Sequence, residues 1–137
     1  METKALVICG PTASGKTALA VSMAKRLQTE IISADCMLVY RGLDIGTAKP
    51  SLSEREGILH HMIDVAEPTD SYSVSDYEKA ALPVVESLLQ RGKTPVICGG
   101  TGFYINALLF AQKFGNAPAD AAVRLKYETI AKERGRE

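Results

Sequence analysis

Ala5-Leu-Val-Ile-Cys-Gly-Pro-Thr-Ala-Ser-Gly-Lys-Thr17 decides the fold. Its first five residues are a continuous apolar run ended by Gly10, and from Thr17 the apolar positions Leu19, Ala20, Met23, Ala24 and Leu27 recur at helical spacing. The stretch predicts a strand, a tight loop and a helix in direct succession. Gly10 to Thr17 fits GxxxxGK[ST], and the flanking strand and helix supply the context that the motif requires. Gly10 and Gly15 permit a backbone that turns successive N–H groups inward over the loop that holds Pro11, Thr12, Ala13 and Ser14. The following helix points its positive end at an anion, Lys16 adds a full charge, and the Thr17 hydroxyl is suited to hold Mg2+. Such a set of donors suits a di- or triphosphate.

Two further apolar runs flank this unit at a distance. Glu30-Ile-Ile-Ser-Ala-Asp35 reads as a buried strand that stops at a carboxylate, and Thr94-Pro-Val-Ile-Cys98 as one that stops at Gly99-Gly100. Tyr77 to Gln90 is a helix candidate closed by Gly92. Short apolar strands alternating with helices predict an α/β fold, a P-loop-type parallel sheet with helices on both faces and ligands at the carboxyl ends of its strands. Residues 41–75 hold many loop formers and little periodicity, which predicts a long irregular crossing with room for short helices, and loops of that length are usually functional. Beyond Asn116-Ala-Pro-Ala-Asp120, the spacing of Val123, Leu125, Tyr127 and Ile130 predicts a solvent-facing helix.

With 137 residues, 46% of them apolar and 23% charged, the chain matches one globular domain able to bury a core without disulfides or metal staples. Sixteen basic side chains balance sixteen acidic ones, which argues against holding nucleic acid by bulk electrostatics. The apolar runs are too short to cross a bilayer and no leader pattern opens the sequence, so no membrane association and a cytoplasmic location are expected. Cys9, Cys36 and Cys98 lack metal-ligand spacing; Cys9 and Cys98 read as small buried hydrophobes. His60 and His61 are adjacent and point apart in any regular element, so they cannot ligate one metal as a neighbouring pair, and one is expected to pack or hydrogen-bond within the long crossing.

Two nucleotide chemistries are disfavoured. Thr47-Ala-Lys-Pro50 is the nearest approach to the base-reading segment of GTPases and lacks its final acid. The strand at 94–98 ends in glycines where an ATPase would carry an acid, so Asp35 is the strand-end carboxylate, with either a metal role or a base role.

Four stretches, in order, carry a resemblance: the loop in the form Gly-Pro-Thr-Ala-Ser-Gly-Lys-Thr, Asp35-Cys-Met-Leu-Val-Tyr-Arg-Gly-Leu-Asp-Ile-Gly-Thr-Ala-Lys-Pro50, His60-His-Met-Ile-Asp64 followed by Tyr72-Ser-Val-Ser-Asp-Tyr77, and Gly99-Gly-Thr-Gly-Phe-Tyr104. Together they resemble the tRNA dimethylallyltransferases, also called tRNA isopentenyltransferases. The resemblance implies transfer of a dimethylallyl group from dimethylallyl diphosphate to N6 of the adenosine 3′ to the anticodon. Gly10 to Thr17 would then hold the diphosphate with Mg2+, and Asp35 would accept the N6 proton. It also implies tRNA contacts at Asp35, Cys36, Met37 and Leu38, at Thr101 near the reacting base, and at Arg124. Cys36 stands where the family usually has serine, and Leu38 where glutamine is common.

The readings from the residues themselves stay open beside these. Asp35 could cap a helix or sit behind a metal ligand, Thr101 could N-cap the helix begun by Phe103 to Leu109, and Arg124 could be a solvated helix charge. Tyr40, Tyr72, Tyr77 and Tyr104 are expected to be structural. Residues 1–111 are expected to form the P-loop core and 112–137 the start of a helical tRNA-binding segment, in a monomer partnered by the anticodon arm of tRNA. Family members are longer, which leaves a fragment or a short relative as readings of the length. Other functions left open are an adenylate isopentenyltransferase, a small-molecule kinase using the same loop, and a non-catalytic module binding diphosphate or RNA.

Overall fold

The computed structural model describes residues 4–11, 14–44 and 49–110. In chain order the elements are β1 (Leu6–Cys9), α1 (Lys16–Leu27), β2 (Ile31–Ser33), α2 (Leu52–Arg55), β3 (His60–His61), α3 (Val74–Gln90), β4 (Val96–Gly99) and α4 (Gly102–Phe110). The strands form one sheet in the order β1-β4-β2-β3, every pairing parallel, with Leu6 opposite Val96 and Ile31 opposite both Val96 and His60. The expected α/β architecture is therefore present. A parallel sheet needs cover on both faces, and alternate residues supply it. Ile8, Ile31 and Val96 pack on Ala20, Val21 and Ala24 of α1. Ile32 and Ile97 face the other way, onto α3 and α4.

Local sequence sets where α1 and α3 begin. Gly15, at φ 85°, takes the left-handed backbone that opens α1 directly behind the loop. Ser73 accepts from the Asp76 amide while the Asp76 carboxylate accepts from the Ser73 amide, so α3 starts at Val74 and not at Tyr77. The apolar stripe Tyr77, Ala81, Val85, Leu88 marks only its buried face; Pro83 lies on the exposed one. The Tyr77 ring stacks on Tyr104 of α4 with centroids 3.9 Å apart, and its hydroxyl donates to the Ser33 carbonyl at 2.6 Å. Those two tyrosines are structural, as expected.

The long crossing is more ordered than its composition suggests. It contains α2, the two-residue β3 and a bridge between Tyr40 and Ala66. β3 is a fourth strand beyond the three apolar runs, invisible as one because its residues are both histidine. His60 Nδ1 bonds the Ile58 carbonyl at 2.8 Å, and His61 Nε2 bonds Glu30 at 2.7 Å, so the partnering expected of one histidine is made by both. The amides of Asp64 and Val65 donate to the carbonyls of Leu38 and Val39, so the return leg lies against the segment after β2. Lys49 pins the two legs: its buried ammonium donates to the Tyr40 carbonyl and to the carboxylates of Asp44 and Asp64. Burial opposes its charge, yet the two carboxylates outweigh burial and raise its pKa.

One packing expectation fails. Cys9 is exposed, not buried, because Ile8 takes the α1-facing side of β1 and the alternation turns Cys9 outward at a strand that borders only β4 among the described residues. Cys98 is half-buried.

Candidate active site

The carboxyl ends of β1, β2 and β4 open into one cleft of about 610 Å3. Ser14, Gly15, Lys16 and Thr17 form one wall, and Asp35 with Leu38 another. Cys98 and Gly99 line it as well, together with residues around α2.

The glycine-rich loop is held from within. Lys16 Nζ donates to the carbonyls of Gly10 and Pro11, at 2.9 Å each, and Ser14 Oγ donates to the Pro11 carbonyl at 2.6 Å. Neutral carbonyls are weaker partners for an ammonium than anionic oxygens, so an anion entering the cleft offers Lys16 stronger acceptors. Thr17, on the first turn of α1, is half-buried and lines the same cleft.

Asp35 lies two residues beyond the end of β2, and its position depends on a close approach of two backbones. The Ala34 amide donates to the Cys98 carbonyl at 2.8 Å, and the Thr101 amide to the Ala34 carbonyl at 3.0 Å. A Cβ at position 99 would fall 2.2 Å from that Ala34 oxygen, so only glycine fits. One Asp35 carboxylate oxygen accepts from the Met37 amide at 2.9 Å, and the Leu38 amide donates to the Asp35 carbonyl at 3.2 Å. Asp35 thus both fixes its own turn and lines the cleft. The Thr101 hydroxyl does not cap its own helix; it accepts from the Cys36 amide at 2.9 Å, joining the loop after β4 to the turn after β2.

Of the residues singled out from sequence, Ser14, Gly15, Lys16, Thr17, Asp35 and Leu38 line the cleft, and Gly10 and Pro11 bond its lysine. Thr101 is tied to them through Cys36. Cys36 and Met37 are exposed, whereas Leu38 is only 6% exposed and belongs to the floor. Thr12, Ala13 and Arg124 lie outside the described residues. Sequence reasoning missed Ser53, Glu54 and Glu56, which line the opposite rim. The signal was there in Ser51-Leu-Ser-Glu54, a capping box that starts α2. Both acids are engaged: Glu54 accepts from the Ser51 amide and Glu56 pairs with Lys25 at 2.9 Å.

Among the described residues no group of three or more histidine, cysteine or carboxylate side chains could hold a metal. A magnesium ion bound beside a phosphate needs far less. It takes one or two protein oxygens and fills its octahedron with phosphate oxygens and water. Thr17 and Asp35, hard oxygen donors lining one cleft, fit that demand.

Residues 38–137 match the family model for IPP transferase. The chain belongs to the IPP transferase family. The tRNA dimethylallyltransferase of Pelotomaculum thermopropionicum is 52% identical over 128 residues, which is 93% of this chain and 41% of that protein. That of Acetivibrio thermocellus is 49% identical over 132 residues, 96% of this chain and 42% of the relative. Among solved structures, the full-length tRNA isopentenylpyrophosphate transferase of Bacillus halodurans superposes with a TM-score of 0.80 at 43% identity, over 98% of this chain and 44% of that one. A eukaryotic dimethylallyltransferase acting on tRNA superposes with a TM-score of 0.74 at 29% identity, over 99% of this chain and 33% of its own. This IPP transferase chain spans about two fifths of the length of the curated relatives it matches.

Proposed function

We propose that this chain provides the donor-binding and proton-accepting core of a tRNA dimethylallyltransferase, acting on dimethylallyl diphosphate and on N6 of the adenosine 3′ to the anticodon. One observation carries the reading: a single cleft joins the Lys16 loop to the strand-end carboxylate Asp35. The relatives' names supply the substrate class.

In the reaction the bond between the allylic carbon and the diphosphate oxygen breaks, and negative charge collects on the departing oxygen. Lys16, the amides around Gly15 and the positive end of α1 stabilise charge where it develops. Bound Mg2+, held by Thr17 and within reach of Asp35, would supply further positive charge to the diphosphate. The N6 lone pair forms the new carbon–nitrogen bond. N6 must then lose a proton, and the Asp35 carboxylate accepts it. The acceptor base has to leave its stack, which costs a few kcal/mol, and contacts at Cys36, Met37, Leu38 and Thr101 would help to hold it out. Arg124 is assigned a contact to the tRNA backbone, and residues 112–137 the start of the segment that grips the anticodon arm. A monomer working in the cytoplasm, where tRNA is available, completes the reading.

The test pairs labelled dimethylallyl diphosphate with either an anticodon stem-loop or AMP, in a chain extended to the relatives' full length. Label on the stem-loop adenosine supports the proposal. Label on AMP alone would reassign the acceptor to a free nucleotide, and phosphoryl transfer from ATP would make the cleft a kinase site.

A further inference from the structure

Beneath the cleft lies a second, much smaller pocket of about 30 Å3. Thr17, Leu38 and Cys98 line both, so they form the partition between them. Ser33, His60 and Pro50 line its lower part with the apolar Ala20, Ile31 and Ile63. Ser33 is 3% exposed, and its hydroxyl has no hydrogen-bond partner among the described residues. Strand alternation puts Ser33 on the α1-facing side of β2 with Ile31, two residues before Asp35 and opposite Cys98. A buried hydroxyl without a partner is costly and almost always finds one, in protein or in ordered water. The pocket exceeds the about 10–15 Å3 that a single water requires, and within a mostly apolar lining Ser33, Thr17 and His60 supply polar side chains.

We propose that this pocket binds one ordered water molecule, which bridges the Ser33 hydroxyl to the Thr17 hydroxyl. Ser33 is then a positioning residue. A hydroxyl that offers a lone pair to a cation must send its proton elsewhere, and the bridging water accepts the Thr17 proton from below. It thereby turns the Thr17 oxygen toward the cleft. A threonine on a helix divides between two rotamers, and a fixed acceptor under Thr17 selects one of them.

The inference rests on the proposed diphosphate site, and the test separates the two. Inorganic pyrophosphate is titrated calorimetrically into the unaltered chain and into S33A, with Mg2+ and without it. In parallel, a high-resolution crystal structure of the unaltered chain is inspected at the pocket. The expected result is a water within hydrogen-bond distance of Ser33 Oγ and Thr17 Oγ1, and an about three- to tenfold loss of pyrophosphate affinity in S33A that appears only when Mg2+ is present. S33V, which fills the space without a hydroxyl, should show the same Mg2+-dependent loss with its fold intact. Equal losses with and without Mg2+, or a dry pocket, would overturn the proposal. If the unaltered chain bound no pyrophosphate at all, the diphosphate reading of the cleft would fall instead.

Discussion

Lys16 donates to two carbonyls of its own loop, which hold its ammonium in a fixed place beside the cleft. Removing it should therefore subtract a preformed charged donor, and K16A is expected to weaken pyrophosphate binding by about 1.5–3 kcal/mol, the size of a hydrogen bond to a charged group. Calorimetry reads this directly, and unchanged affinity would disprove the loop's assignment. Asp35 calls for the opposite signature. D35N preserves shape and leaves an amide oxygen to accept from the Met37 amide, so donor binding should persist while transfer in the full-length enzyme falls by about 100-fold or more. A loss of Mg2+ affinity with little loss of turnover would move Asp35 from base to metal contact. Cys36 and Thr101 act on each other through backbone and hydroxyl, so T101A should loosen the turn after β2 while T101S should retain the bond.

At the level of elements, the contact between β2 and β4 fixes the site. The missing Cβ at position 99 lets the Ala34 carbonyl approach, and G99A must push the strands apart at the point where Asp35 leaves the sheet. Overpacking of this kind costs about 1–3 kcal/mol or more, so urea unfolding should show a lowered midpoint, together with weakened pyrophosphate binding. The strand, loop and helix around Gly10–Thr17 were legible in sequence because apolar run, glycine and helical spacing each speak locally. So were β2 and β4, whose buried faces demand unbroken apolar residues. β3 was not legible, since two histidines carry no strand pattern and owe their place to pairing with Ile31 and Ile32. The same limit hid Lys49, whose burial depends on carboxylates 5 and 15 residues away that only the folded crossing brings together. Leu38 illustrates a different gap: the resemblance marks its position but not that its side chain would turn into the floor.

Across the whole molecule, acid should loosen the fold in two stages. Burial, and lesser repulsion from Arg55 and His61, hold the His60 pKa below its usual 6.5. The unfolded chain therefore takes up this proton before the folded one does, and stability declines as pH falls from about 6.5 toward the lowered folded value. The Glu30 pKa is also lowered, chiefly by its bond to His61, and that of Asp76 by the Ser73 backbone and hydroxyl. Their contributions are intact above the ordinary carboxylate range and disappear as pH falls through the lowered values. Urea midpoints at pH 7 and pH 5 should differ in the unaltered chain and converge in H60Q. The 137 residues by themselves should hold pyrophosphate yet transfer poorly to an anticodon stem-loop, because a net charge of zero gives no general pull on RNA phosphates. Efficient modification by them alone would locate the whole acceptor grip within these 137 residues. The sheet order also imposes a timetable. Leu6 pairs with Val96, so the strand that launches the phosphate loop has its described partner ninety residues downstream. A ribosome adding about 5–20 residues per second leaves that N-terminal strand waiting for seconds as an unpaired apolar segment. During synthesis the loop written first is thus among the last parts of the core to become a binding site, and a chaperone that shields Ala5 to Cys9 over that interval would protect the ligand site itself.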